Sequence, residues 1–233
     1  MIKVGICDNS LQDRERLAEY IRKFFETKDR EVKLSEYESG EKFLKERDVE
    51  ILFLDIEMQG INGIELKEKL QAEKSKTRLI FTSSHYEMME EAFGKQVFGF
   101  LHKPVAYEKF KIKLEMAVQD IEEERQVQIT GAVEECCVDM EKILYIQADG
   151  KYSNVKLVNR KTLFSNKSVG AWAEELGGKG FFLCHRSYLA NLYQVTKIDD
   201  EVLFRNGEKI PVSRRMKSNF KAAYREYIKR KAR

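Results

Sequence analysis

The chain has 233 residues, 35% charged and 42% hydrophobic, a balance that suits one large soluble domain or two of ordinary size. The chain has no run of eighteen apolar residues that could cross a membrane, and the first residues lack the long apolar core of a secretory leader, so a cytoplasmic protein is expected. The net charge of +3 hides an asymmetry: residues 1–125 carry 22 Lys and Arg against 27 Asp and Glu, whereas residues 126–233 carry 20 against 12. A polyanion therefore suits the second half alone as a partner.

Ile2, Val4 and Ile6 alternate as a first strand that ends in Cys7-Asp8-Asn9. Ser10-Leu11-Gln12-Asp13 then reads as a capping box, with Asp13 in the place of the usual Glu. It opens a helix with Leu17, Tyr20, Ile21, Phe24 and Phe25 at helical spacing. A strand over 32–37 leads to a helix near Ser39-Gly40 that carries Phe43 and Leu44. Next comes Ile51-Leu52-Phe53-Leu54-Asp55, four consecutive apolar residues ending in an acid, the pattern of a strand buried on both faces inside a parallel sheet. Further elements are expected as a helix over 63–73, a strand over 79–82, a helix over 87–93, a strand over 98–101, Lys103-Pro104 and a helix over 107–125. Strands alternating with helices in this way imply a doubly wound five-stranded parallel sheet, a flavodoxin-like α/β fold.

In such a sheet the strand ends converge, which brings together Asp8 and Asn9, Asp55, Ser83 and Lys103. A rigidly held aspartate at a strand end suits the acceptance of a phosphoryl group. Two carboxylates with carbonyl oxygens suit Mg2+, which keeps waters and bridges to phosphate. Lys103 and the metal would neutralise charge on the transferred group, and Ser83 would hydrogen-bond one of its oxygens. Singly, Asp8 and Asn9 suit a turn, Ser83 a helix cap and Lys103 a solvated charge; together at matching strand ends they specify a site. His85 and His102 read as loop and edge residues.

Beyond a linker expected at 126–132 the period changes from helical to alternating. Strands are expected over 136–139, 143–148, 153–158 and 161–165, then a short helix over 169–176 closed by Gly177-Gly178. Strands over 181–184, 188–192 and 195–198 follow, and the runs 201–205 and 209–212 flank Asn206-Gly207, a strong hairpin signal. The chain closes on a basic helix with Phe220, Tyr224, Tyr227 and Ile228 on one face. Four cysteines (Cys7, Cys136, Cys137, Cys184) show neither metal-ligand spacing nor scaffold density, so reduced thiols are expected.

The first half resembles a response-regulator receiver domain in Asp8, in Asp55 with its Met58-Gln59-Gly60-Ile61-Asn62-Gly63 loop, in Ser83, Phe100 and Lys103-Pro104. The resemblance implies a phospho-acceptor at Asp55 served by a sensor histidine kinase. It implies Mg2+ bound by Asp8, Asp55, the backbone carbonyl of Glu57 and the neighbouring position, here Asn9. It also implies a switch pair of Ser83 and Phe100, a homodimer when active, and a cis bond at Lys103-Pro104. The family commonly has a second acid where Asn9 stands, so weaker metal binding and slow or unusual phosphorylation are expected; Gln59 replaces a loop proline.

Residues 133–227 resemble the LytTR DNA-binding domain, a mainly β module that reads DNA from loops, in Ile143-Leu144-Tyr145-Ile146, the segment 181–192 and Ile210-Pro211-Val212-Ser213-Arg214-Arg215. That likeness implies that His185, Asn206 and Arg214 reach double-stranded promoter DNA, with Arg186, Arg215 and Lys217 on its backbone. Arg can pair with guanine in the major groove, and Lys and Arg supply the salt-dependent phosphate attraction. Asn206 reads equally as a turn residue, His185 as a strand histidine and Arg214 as a partner for a surface acid.

The expected organisation is a receiver over 1–125 and a LytTR domain over 133–233, a transcription regulator rather than an enzyme. Two alternatives stand beside it. One is a DNA-binding regulator that works without phosphorylation. The other is a phosphatase with Asp55 as nucleophile, since Asp55-Ile56-Glu57 loosely resembles the haloacid-dehalogenase motif.

Overall fold

The computed structural model describes every residue except 29, 86, 88–91, 132–134, 232 and 233, and leaves out the side chains of 230 and 231. The chain divides into two compact units, Met1–Ile121 and Glu122–Arg233.

The first unit is built on five parallel strands: β1 (Ile2–Cys7), β2 (Val32–Tyr37), β3 (Ile51–Asp55), β4 (Arg78–Ser83) and β5 (Val97–His102), in the order β2-β1-β3-β4-β5. Helices α1 (Leu11–Glu26), α2 (Gly40–Glu46), α3 (Gly63–Ala72) and α4 (Tyr107–Arg125) accompany them; the helix expected over 87–93 falls largely outside the described residues. Strand β3 shows why its sequence is uniformly apolar. Ile51 and Phe53 pack on one face with α1 and α4 residues such as Phe24, Phe110 and Leu114. Leu52 and Leu54 pack on the other with Phe43, Leu66 and Leu70 of α2 and α3. Burying each such side chain contributes roughly 1.5–3 kcal/mol as an upper estimate. That double anchoring leaves Asp55 rigid at the strand end.

Gly63 explains how close the α3 start comes to that end. A Cβ there would lie 2.4 Å from the Asp55 carbonyl oxygen, closer than any side chain tolerates. Asn62 caps α3 by accepting from the Glu65 amide at 2.9 Å.

The second unit is mainly β. Strands β8 (Ile143–Asp149), β9 (Tyr152–Leu157), β10 (Thr162–Ser165), β11 (Phe181–His185) and β12 (Tyr188–Asn191) form a sheet ordered β10-β9-β8-β12-β11. A second sheet comprises β13 (Val195–Ile198), β14 (Glu201–Phe204) and β15 (Lys209–Pro211), with α5 (Val169–Glu175) and α6 (Lys217–Lys231) beside the sheets. Trp172 of α5 is fully buried and donates its indole N–H to Ser153 Oγ at 3.1 Å. Phe220 of α6 is likewise buried, against Phe182 of β11.

The linker expected at 126–132 is not borne out as a loop. Gln126–Thr130 forms a strand, β6, antiparallel to β7 (Glu135–Asp139), and Val127 and Ile129 enter the core around Trp172. Alternation decides this: Val127 and Ile129 share one face, and burying them favours a paired strand over a solvated chain. The Asn206-Gly207 hairpin forms with only Gly207 at positive φ, +87°, so the turn is the longer kind with one left-handed residue.

Candidate functional site

The carboxyl ends of β1, β3 and β5 meet around one ammonium. Lys103 Nζ lies 2.8 Å from Asp8 Oδ2, 3.0 Å from Asp55 Oδ2 and 3.2 Å from Asp13 Oδ2. Asp8 and Asp55 are almost wholly buried and Lys103 nearly so. The Lys103–Pro104 bond is cis, and the Lys103 amide donates to the Ser83 carbonyl at 2.9 Å. Burial, then the Asp8 charge, push the Asp55 carboxyl up to about 6, against the opposing pull of Lys103. For Lys103 burial works against the charged form, but its contacts with Asp8 and Asp55 outweigh that and hold it above the ordinary lysine value.

The helix start next to Asp8 departs from the expected capping box. Ser10 Oγ accepts from the Asp13 amide at 3.3 Å, but the Ser10 amide donates to Asp8 Oδ1 at 2.8 Å. The Asp13 carboxylate is instead turned to Lys103. Asp13 is the charged group that the sequence reading did not bring into the site. The sequence signal was an acid in the first turn of a helix whose preceding strand ends in the site.

Asn9 is exposed. The Glu57 amide donates to Asp55 Oδ1 at 3.2 Å, while the Glu57 carboxylate meets His85 Nδ1 at 2.8 Å. That hydrogen bond holds the exposed His85 above its ordinary pKa. His85, read as a plain loop residue, therefore borders the site. Ser83 is buried at the end of β4, where its Oγ accepts from the His85 amide at 2.9 Å and donates to the His85 carbonyl at 3.1 Å. Phe100 is half-buried, stacked on Phe81 with ring centroids 5.6 Å apart and tilted against Phe93 at 5.0 Å.

Among the described residues, no three His, Cys, Asp or Glu side chains are grouped so as to hold a metal by themselves. The residues present nevertheless fit a hard dication that keeps waters, since Asp8, Asp55 and a Glu57 carbonyl offer only oxygen. Asp8 Oδ2 is buried and, although ion-paired to Lys103, accepts no hydrogen bond of good geometry, which leaves lone-pair capacity for a cation.

In the second unit a cluster gathers at the β11–β12 turn. His185 ends β11, its Nδ1 accepts from the Ser187 amide at 3.1 Å, and its ring lies 5.8 Å from that of Tyr188. The Ser213 amide donates to the Cys184 carbonyl at 2.9 Å, which places Arg214 and Arg215, both exposed, beside His185 and Arg186. Lys217 follows at the α6 start, 2.8 Å from Asp200 Oδ1. Asn206 sits at the far end of the β14–β15 hairpin: its Oδ1 accepts from the Glu208 amide and its Nδ2 donates to Glu208 Oε1, both at 3.0 Å. Those bonds support its reading as a turn residue. All four cysteines are free, and burial pushes the Cys7 and Cys184 thiols up to about 12, so both are unreactive. Among the described residues no helix is long and apolar enough to cross a membrane.

Comparisons with known proteins agree with this division. Residues 10–115 match the response regulator receiver domain and residues 134–225 match the LytTr DNA-binding domain. The transcriptional regulatory protein BtsR of Escherichia coli is 28% identical, with 96% of this chain and 99% of that protein covered. The sensory transduction protein LytT of Bacillus subtilis is 26% identical, over 92% and 95% of the two chains. Among solved structures, the response regulator TrrA of Thermotoga maritima in complex with Mg2+ and BeF is similar at 21% identity, a TM-score of 0.44, 50% of this chain and 99% of that one. The chain belongs to the LytTR-family response regulators, with a receiver domain followed by a LytTR DNA-binding domain.

Proposed function

We propose that this protein is a two-component transcription regulator that a sensor histidine kinase phosphorylates on Asp55 and that binds double-stranded promoter DNA through its second unit. The observation that carries the reading is the convergence of the buried Asp8 and Asp55 with the partly buried Lys103, three charges at the ends of three strands. An Asp55 carboxylate oxygen attacks the phosphorus of the donor, and the donor's own group leaves. Lys103 meets the negative charge that arrives, and Ser83 exchanges its bonds with His85 for one to a phosphoryl oxygen. Asp8, Asp55 and the Glu57 carbonyl would hold Mg2+, which supplies further neutralisation of phosphoryl charge when bound. Phe100 would follow Ser83, repacking against Phe81 and changing the face through which two copies pair.

On DNA, Arg214 and His185 would address base edges, while Arg186, Arg215 and Lys217 contact phosphates. Asn206 would act there by shaping its hairpin. We place the receiver over 1–125, the DNA-binding domain over 133–233, and the protein in the cytoplasm. A phosphatase reading is disfavoured by the match of the second unit to a DNA-binding family, for which a hydrolase of this kind has no use. The exposed Asn9 favours one second reading, a DNA binder controlled without phosphorylation.

The test is DNA binding of the full chain across a salt series, with and without acetyl phosphate and Mg2+, beside Asp55→Ala. Specific binding that tightens with phosphodonor only when Asp55 is present supports the switch. Equal binding in every condition moves control away from Asp55, and absence of specific binding removes the DNA reading.

A further inference from the structure

The acid pocket carries a charge imbalance that its assigned residues do not resolve. A dication beside the Lys103 ammonium places three positive charges together, against only two negative ones from Asp8 and Asp55. Asn9, at the strand end where a further carboxylate would serve, is neutral. A buried excess of one positive charge opposes entry of the cation.

The structure holds a third carboxylate at the right place. Asp13 Oδ2 is 3.2 Å from Lys103 Nζ, on the same ammonium that contacts Asp8 at 2.8 Å and Asp55 at 3.0 Å. Its route there departs from local rules. A capping box would direct the Asp13 carboxylate back to the Ser10 amide. That amide is already taken by Asp8 Oδ1 at 2.8 Å, so the carboxylate is released from the helix start and points to the pocket. Its side chain keeps 28% of its accessible surface, so it occupies the rim while Asp8 and Asp55 lie beneath.

We infer that Asp13 completes the divalent-cation site in place of Asn9, by holding Lys103 from the rim so that Asp8 and Asp55 keep oxygen lone pairs for the cation. It is a positioning residue that acts through Lys103, and it brings the metal-loaded pocket to neutrality. The inference rests on the proposed Mg2+ site. The buried Asp8 Oδ2 has the Lys103 ammonium at 2.8 Å and accepts no further hydrogen bond, so it keeps lone-pair capacity for a cation.

Mg2+ binding to the full chain, measured by isothermal titration with magnesium chloride and no phosphodonor, tests this directly. Asp13→Asn is expected to weaken Mg2+ affinity at least about tenfold, the usual size of losing a group that orients metal ligands. Asp13→Glu is expected to retain most of it, and Asn9→Asp added to Asp13→Asn is expected to restore it, which a purely structural role for Asp13 would not allow. Asp13→Asn with unchanged Mg2+ affinity overturns the inference and leaves the Mg2+ site standing. A failed rescue by Asn9→Asp in a folded double variant overturns it equally. A parent chain that binds no Mg2+ overturns the inference together with the site on which it rests.

Discussion

Asp55→Asn gives the most direct reading of the pocket's electrostatics, because it removes one charge and changes little volume. Burial and the neighbouring Asp8 raise the Asp55 carboxyl from an ordinary value near 3.8 to about 6. The folded state therefore binds the Asp55 proton more tightly than the unfolded state does. Stability contributed by this group is full below about pH 4, declines as pH rises from 3.8 to 6, and stays low above that. A shift of about two units corresponds to about 3 kcal/mol, and sharing of Lys103 with Asp8 and Asp13 lowers the expectation to about 1–3 kcal/mol. At pH 7.5 in EDTA, Asp55→Asn should stabilise the first unit by that amount, or roughly 4–12 °C in its transition. The gain should vanish near pH 4. Scanning calorimetry of the full chain measures it, and fluorescence of Trp172, the single tryptophan, identifies the transition of the second unit, to which it belongs. A gain independent of pH between 4 and 7.5, or a loss at pH 7.5, would refute the account.

Other substitutions separate the remaining roles. Gly63→Ala forces a Cβ against the Asp55 carbonyl and should destabilise the first unit by about 1–3 kcal/mol in calorimetry, without moving the second transition. Phe220→Ala empties a fully buried site beside Phe182 and should cost the second unit about 3–5 kcal/mol, seen as an earlier Trp172 fluorescence transition in urea. Arg214→Ala should lower specific DNA affinity by about 1–3 kcal/mol and relax discrimination at one base position. Asn206→Ala should cost about 1 kcal/mol of stability through its lost bonds to Glu208, with discrimination between DNA sequences unchanged in the same titrations.

What the sequence made legible follows from how local the signals are. The unbroken apolar run of β3 can only be a strand covered on both sides, and the structure divides it residue by residue between two cores. Alternation likewise revealed most strands of the second unit. Strand β6 escaped because Gln126–Thr130 is short and directly follows the charged end of α4; its period of two was present, but only pairing with β7 gives it a reason to form. Asn206 resisted assignment because an asparagine in a turn and one at a base edge look alike in sequence; the bonds to Glu208 are those that the turn reading requires. The Glu57–His85 contact joins two loops and lies beyond any local rule.

Asp13 is the instructive case, because a correct local rule concealed it. Ser-x-x-acid before an apolar helix is a sound capping signal, and half of it is honoured, in the Asp13 amide bonded to Ser10. The other half fails for a tertiary reason. Asp8 is buried at the end of β1, and its Oδ1 accepts from the Ser10 amide at 2.8 Å. Once Asp8 takes that donor, the Asp13 carboxylate has lost its local partner and Lys103 is the cation within reach. Departures from local rules concentrate where a fold holds a site. Here the two departures, a neutral Asn9 and a half-made capping box, sit four residues apart on the same strand-to-helix connection. One places a charge where the other lacks it, so a single requirement, neutrality around Lys103 and the proposed dication, would account for both.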